Sequence, residues 1–189
     1  MSSEIDICNM SLLELGAETI LSFDDETAGN IKRAKLCKQF YPMVRDAVLR
    51  SYPWNCAIAR TSLARIDSTP LFGFDYVFQL PIDPYCLRVL EIDDKDADYR
   101  IEGRYLLCDN STVIIKFIKR VENTGLFDPL LVQAIVMRLA ATLSKPITAS
   151  SDMRLWELYA NMVQEGKTID GMEGTLSPYD SSILIDVRR

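Results

Sequence analysis

The residue types that most often carry enzyme chemistry are missing or scattered in this sequence. The 189-residue chain has no histidine, which excludes the commonest general base, the usual metal ligand and every nucleophile that a histidine activates. Its five cysteines include no Cys-x-x-Cys pair and stand among apolar neighbours, which is typical of buried thiols in a reducing compartment. We therefore expect no catalytic residues, no metal site and no cofactor.

One acidic motif needs separate consideration, because Asp94-x-Asp96-x-Asp98 begins like a calcium-binding loop. Such a loop needs glycine at its sixth position and glutamate at its twelfth, but the chain has Tyr99 and Tyr105 there. The motif therefore favours a solvated acidic turn. A glycosidase would need two carboxylates that face each other, and no sequence pattern brings two together here.

The charge of the chain argues against tight binding to nucleic acid. Lys and Arg number 21 against 27 for Asp and Glu, the net charge is −6, and the acidic excess is spread along the chain. A protein that grips phosphates usually carries a basic stretch, and this sequence has none. No apolar run approaches roughly 18 residues, and the first residues lack the pattern of a signal peptide. We expect a soluble protein, made in the cytoplasm, without a membrane partner.

Helices are predicted in the first part of the chain. Apolar residues recur at helical spacing over 3–16, where Ser3 and Asp6 have the spacing of a capping box. A longer helix is predicted to follow a cap at Asp24 or Asp25 and to end before Pro53. Pro42 should kink or split this helix, and a further short helix is predicted over 54–63.

The middle of the chain has the pattern of strands. Aromatic, β-branched or alternating segments are separated by turn residues and cover 74–80, 86–92, 99–107 and 112–117. Successive short strands with tight turns predict a small antiparallel meander.

The helical pattern returns after residue 125. Asp128-Pro129 is a strong helix start, since aspartate caps and proline suits the first helical position. The next stretch, Leu130 to Leu143, is apolar on nearly every side, which predicts the central helix of a bundle. Ser151-Asp152 can cap a last helix. The resulting fold class is mainly α with a β insertion (α+β): a helical bundle from 1–69 and 126–174, an antiparallel β insertion at 70–125, and a C-terminal arm at 175–189.

The arm ends in a short apolar segment with high β propensity, followed by two arginines. Because chain termini are usually polar and frayed unless something holds them, the segment predicts a strand that pairs either with the protein's own sheet or with a partner. The candidate partner-binding residues are Ile183, Leu184, Ile185, Val187, Arg188 and Arg189.

Two short sequence motifs, which we call the family-like words, carry a resemblance to a known family. The first is Tyr41-Pro-Met-Val-Arg45-Asp46, which runs into Pro53-Trp54. The second is Gln79-Leu80-Pro81-Ile82-Asp83, followed by Leu87-Arg88-Val89. Together they resemble the tail tubular protein A family of short-tailed bacteriophages, and a weaker match follows at 139–148. The resemblance covers about residues 5–170 and is strongest over 40–91.

The resemblance implies a structural protein of the virion, a head-to-tail connector (adaptor). Members of that family form a twelve-fold ring between the portal protein and the tail nozzle protein, and DNA passes through the channel of the ring. Their fold is a helical bundle with a β insertion. A closed ring repeats one contact between two different surfaces of each subunit. A net negative charge suits a channel through which DNA slides without binding.

Two alternatives remain open. The chain could be a packaging ring that handles DNA directly, which a basic surface on the structure would favour. It could also be a cell-wall hydrolase attached to a phage tail, which would require two carboxylates facing each other in a cleft.

Overall fold

Along the described sequence, two helices precede and two helices follow a group of strands that form antiparallel sheets. The computed structural model describes residues 2–27, 29–68, 70 and 72–172. Within these ranges, the helices are α1 (Glu4–Glu14), α2 (Ile31–Ser51), α3 (Pro129–Thr148) and α4 (Met153–Met172). The strands are β1 (Ile58–Ser62), β2 (Ala64–Ile66), β3 (Tyr76–Gln79), β4 (Cys86–Ile92), β5 (Tyr99–Glu102), β6 (Tyr105–Cys108) and β7 (Ile114–Lys119). The predicted α+β class, with a helical part divided in sequence by β structure, is confirmed.

Helix α1 begins and ends as its local sequence predicts. The Ser3 hydroxyl accepts the backbone N–H of Asp6 at 3.1 Å, and the Asp6 carboxylate accepts the Ser3 N–H at 2.8 Å. This capping box satisfies two helix donors that would otherwise lack a partner. After the helix, Gly16 has a φ of 65°, a backbone conformation that glycine adopts at little cost.

Helix α2 starts later than predicted, at Ile31. Asp25 holds the preceding loop instead of capping the helix: its carboxylate accepts N–H groups from Leu21 at 3.0 Å, Thr27 at 2.9 Å and the Asn30 side chain at 3.0 Å. These donors, Leu21 first and then Thr27, hold the pKa of Asp25 well below its usual range. Pro42 does not split the helix, which is continuous to Ser51.

Helix α3 is the centre of the bundle, as predicted. Asp128 caps it by accepting the Leu130 N–H at 2.8 Å, and α3 then packs against α1, α2 and α4. By length and composition α3 could also cross a membrane, but half of the stretch is buried, as in the core helix of a globular protein. Asp152 accepts the Arg154 N–H at 2.9 Å at the start of α4.

The strands begin earlier than predicted and pair in a different order. The prediction of a helix over 54–63 is wrong beyond Ala57, since Ile58–Ser62 pairs with β7 and Ala64–Ile66 pairs with β3. The β part therefore includes 58–66, which the predicted division assigned to the helical bundle. In the described chain the strands form sheet A, in the order β1-β7-β4, and sheet B, in the order β2-β3-β6-β5. All these pairs are antiparallel, but the order is not that of a meander.

Sheet A lies between the helices and sheet B. Successive side chains of a strand point to opposite faces, and on β7 Ile118 packs into the helical core while Phe117 packs into the core shared with sheet B. Burial of both faces fixes the register of β7, because a slip of one residue would exchange the two sets. The helical bundle and the β part are thus joined through one central strand.

Candidate functional site: an arginine-lined cleft beside the helix–sheet joint

The predicted partner-binding residues lie outside the described residues. Ile183, Leu184, Ile185, Val187, Arg188 and Arg189, with the rest of the arm at 175–189, follow the last described residue, Met172. Whether this arm pairs with its own sheet or with a partner stays a prediction.

The first family-like word forms a buried charge network on α2. Arg45 is 5% exposed, and its guanidinium lies 3.0 Å from Asp46, 3.6 Å from Glu122 and 3.9 Å from Glu4. A buried arginine is tolerable only when carboxylates surround it in this way. Arg45 and Asp46 therefore form an ion pair, and the contacts of Arg45 with Glu4 and Glu122 tie α2 to α1 and to the segment after β7.

Trp54, from the end of the same word, anchors the helical core. It is 1% exposed, and its indole N–H donates to the Val48 carbonyl at 3.2 Å. The ring also meets Tyr52 edge-on, with 5.2 Å between ring centroids, and packs against Gly166 of α4. These contacts assign Trp54 to packing in the core.

The second word meets the first through Arg120. The Arg120 guanidinium binds the other carboxylate oxygen of Asp46 at 2.7 Å, and its central carbon lies 4.4 Å from the centroid of the Tyr85 ring. The guanidinium of Arg104 stacks on the same ring at 4.2 Å. Tyr85 therefore carries two cation–π contacts at the start of β4.

Beside this joint lies an open cleft of about 540 Å³ lined by four arginines. These are Arg50 from α2, Arg88 from β4, Arg104 from the turn after β5 and Arg120 after β7. The remaining lining residues are apolar, aromatic, glycine or cysteine. We call this feature the arginine cleft.

Backbone carbonyls hold three of these arginines in place. Arg104 donates to the carbonyl of Cys86 at 2.8 Å and also to that of Pro81. Arg50 donates to the Leu87 carbonyl, and Arg88 donates back to the Arg50 carbonyl at 3.2 Å. These bonds orient the guanidinium groups without neutralising them, since a carbonyl has no net charge.

The cleft consequently carries an excess of positive charge. Asp46 compensates Arg120, but within the described ranges no carboxylate lies within 4.0 Å of Arg50, Arg88 or Arg104. Burial raises the pKa of the Cys86 thiol, while the charges of Arg104 and Arg50 act in the opposite direction. Anionic groups are what such a cleft can bind.

Sequence reasoning missed this cleft. Its four arginines are separated by 16 to 38 residues in the chain, so that no basic stretch marks them. The pairing of β4 with β7 and the contact of α2 with β4 bring them together. The one linear signal is Leu87-Arg88-Val89 in the second family-like word, which places Arg88 on the exposed side of a strand.

The acidic motif forms an exposed turn between β4 and β5, as predicted. Asp94 accepts the Asp96 N–H at 3.1 Å and the Asn110 side chain at 3.0 Å, and the Asn110 contact is the main reason that the pKa of Asp94 is lowered. Asp93 accepts the Ile114 N–H at 2.9 Å. Within the described part of the chain, no three potential metal-binding side chains cluster, here or elsewhere.

The buried thiols differ in the direction of their pKa shifts: the contact with Cys8 lowers the pKa of Cys37, whereas the pKa values of Cys8, Cys86 and Cys108 are raised. Cys8, Cys37, Cys86 and Cys108 are buried and Cys56 is half-buried. The contact with Cys37, together with burial, raises the pKa of Cys8, and burial raises that of Cys108. A raised pKa lowers the thiolate fraction, and the thiolate is the reactive form.

Comparison of the chain with protein-family models and with curated proteins finds no match.

Proposed function

We propose that this chain is a head-to-tail connector of a short-tailed bacteriophage. In this proposal, twelve copies form a ring between the portal protein and the tail nozzle protein, and DNA passes through the ring without specific binding. The protein is then a structural component of the virion, assembled in the host cytoplasm, and neither an enzyme nor a user of cofactors.

The observation that carries the proposal is the meeting of the two family-like words in space. Asp46 of the first word binds Arg120, which stacks on Tyr85, two residues after the second word's Gln-Leu-Pro-x-Asp element. Arg88 of Leu-Arg-Val donates to the backbone of Arg50 at the end of α2. Two words about 40 residues apart thus form one joint between the helices and the sheets. Their contact supports the proposal that both words belong to one family pattern.

A rigid joint suits a connector. A ring between two larger assemblies must keep the angle between its bundle and its β part, because an error in each subunit accumulates around the ring. The buried Arg45 network and the shared strand β7 both fix that angle.

The C-terminal arm is proposed to add as a strand to a neighbouring subunit or to the portal protein. Strand β5 is an edge of sheet B and all four of its residues are exposed, so its outer backbone groups can accept an added strand. Ile183, Ile185 and Val187 would alternate along the arm, and Arg188 and Arg189 would meet acidic groups.

The test is assembly of the purified chain with the portal protein. We expect a monomer or small oligomer alone and a twelve-subunit ring on the portal, seen by light scattering and electron microscopy. Deletion of 176–189 should leave the melting temperature nearly unchanged and abolish assembly. A control with Ile183→Ser and Ile185→Ser keeps the length of the arm and should behave like the deletion.

Each result has a distinct meaning. If the wild-type chain fails to co-migrate with the portal at every salt concentration, the connector proposal is wrong. If the truncated chain unfolds, the arm belongs to the protein's own core. If the truncated chain assembles normally, the arm has no role in assembly.

The arginine cleft favours a second candidate, a packaging ring that binds DNA directly. Four arginines can contact phosphates, and binding would then weaken steeply with salt. Titration of the chain with duplex DNA at several salt concentrations separates the candidates. The hydrolase alternative has less support, since the residues lining the arginine cleft include no carboxylate.

A further inference from the structure

The arginine cleft and the acidic turn lie at opposite ends of the same two strands. Strand β4 leaves the cleft at Cys86 and reaches the turn after Ile92, and β5 leaves the turn at Tyr99 and returns to the cleft at Gly103. The turn, 93–98, carries four aspartates and one lysine, all exposed. Charge is therefore divided along the β part, positive at one end and negative at the other.

The acidic turn cannot neutralise the cleft of its own chain. The lining residues nearest to the turn are Val89 on β4 and Ile101 on β5. Four steps of about 3.3 Å separate Val89 from Asp93 by roughly 13 Å, and three steps separate Ile101 from Asp98 by roughly 10 Å. An ion pair requires about 4 Å, and at physiological salt the screening length is only about 8 Å. Within the described residues the acidic turn therefore does not neutralise its own cleft, and a second copy of the chain can supply the complementary charge.

The two features also match in form. The cleft is concave, about 540 Å³, and its guanidinium groups are oriented by backbone carbonyls before any ligand arrives. The turn is exposed, and Asp94 and Asp93 tie it to Asn110 and to the start of β7. Among the described residues the carboxylates of Asp96 and Asp98 form no ion pair. Preorganised partners lose little freedom when they bind.

We infer that the arginine cleft of one copy receives the acidic turn of the next copy, with Asp96 and Asp98 facing Arg88 and Arg50. This contact is heterologous: each copy uses one surface on each side, and repetition generates a closed ring or a chain. The inference rests on the proposed ring and names the contact between its subunits.

Charge exchange between the two surfaces provides the test. The full chain is examined by sedimentation velocity at low and high salt, where we expect weak self-association that high salt removes. Arg88→Glu or Asp96→Arg alone should weaken association at least about tenfold, since each places like charges together. A 1:1 mixture of the two variants should associate again, because each cleft then meets a turn of opposite charge. The double variant Arg88→Glu/Asp96→Arg should also associate.

Matched controls separate the contact from general charge effects. Arg60→Glu on β1 and Glu157→Arg on α4 make the same changes of charge at exposed positions outside both surfaces, and should leave association unchanged. Circular dichroism and the melting temperature establish that each variant is folded. Arg50→Glu replaces Arg88→Glu should the latter fail to fold.

Several results would overturn the inference. The inference is wrong if the wild-type chain stays monomeric at every salt concentration. It is also wrong if the mixture of the two variants associates no more strongly than each variant alone, or if the single variants associate like wild type. Duplex DNA that binds wild type but not Arg88→Glu would assign the cleft to phosphates instead. If the single variants still assemble on the portal, this contact is wrong and the connector proposal stands. If a mixture of the two variants associates again but the chain does not assemble on the portal, the contact stands and the connector proposal is wrong.

Discussion

Gly166 of α4 offers a sharp test of how the bundle is packed. A Cβ built on Gly166 would lie 2.8 Å from both Cζ3 and Cη2 of Trp54. Carbon atoms normally approach to about 3.5–4.0 Å, so Gly166→Ala requires a shift of at least about 0.7 Å. The indole cannot move freely, because it is 1% exposed, donates to Val48 and meets Tyr52 edge-on.

The expected effect is the difference between two opposing contributions. Overpacking a well-filled core costs about 1–3 kcal/mol. Alanine is more favourable than glycine in a helix interior by about 1 kcal/mol. Because the clash is with a buried ring that is held in place, the upper part of the overpacking range applies, about 2–3 kcal/mol. We therefore expect Gly166→Ala to destabilise the protein by about 1–2 kcal/mol, which in a chain of this size lowers the melting temperature by roughly 2–8 °C.

A second background isolates the clash. Both contacting atoms belong to the six-membered ring of the indole, and the shorter ring of Trp54→Phe withdraws from them. In that background Gly166→Ala should become neutral or stabilising by up to about 1 kcal/mol, since only helix propensity remains. Urea unfolding of the four proteins measures the coupling. An equal destabilisation in both backgrounds, or none in the wild type, would refute the packing of α4 against Trp54.

Two further predictions concern carboxylates. Asp46→Asn should lower the free energy of unfolding in urea by about 1–3 kcal/mol, because it removes charged hydrogen bonds to Arg45 and Arg120. The control Asp24→Asn, which removes an exposed pair with Lys38, should change it by no more than about 0.5 kcal/mol. Equal costs would contradict the network. The lowered pKa of Asp25 means that its contribution to stability is complete above about pH 5, near and above the unfolded value, and is lost as the pH falls through the folded value. The difference in free energy of unfolding between wild type and Asp25→Asn should therefore be constant from about pH 5 to 7 and become smaller below about pH 4. A difference that stays constant down to about pH 2 would contradict this prediction.

Local signals were sufficient for most of the helices. Ser3 with Asp6, and Asp128 with Pro129, act within one helical turn, so their effect does not depend on the rest of the fold. The apolar run after Pro129 could be assigned to the bundle centre for a similar reason, since only full burial suits a helix without a polar side.

Errors arose where tertiary pairing decided the structure. Segment 58–66 has an ambiguous pattern, and its pairing with β7 and β3 selects the strand conformation. The strand order could not be read either, because the pairing of β4 with β7 joins segments more than 20 residues apart. The predicted start of α2 at Asp24 or Asp25 failed because Asp25 satisfies donors of its own loop instead.

The buried residues of the family-like words and the exposed residues of the cleft have different roles in the proposed ring. Tyr41, Arg45 and Trp54 are buried, so their side chains specify the joint and have little surface with which to contact a partner. Arg88 is exposed at the edge of that joint, and the cleft it lines exists only because the joint brings α2, β4 and the residue after β7 together. A substitution of a buried residue in the words, such as Arg45 or Trp54, would therefore disturb assembly indirectly, through the angle between bundle and sheets, with a loss of stability. A substitution in the cleft or the acidic turn should disturb assembly with no loss of stability. Measuring both quantities on the same variants distinguishes a residue that builds the subunit from one that joins subunits.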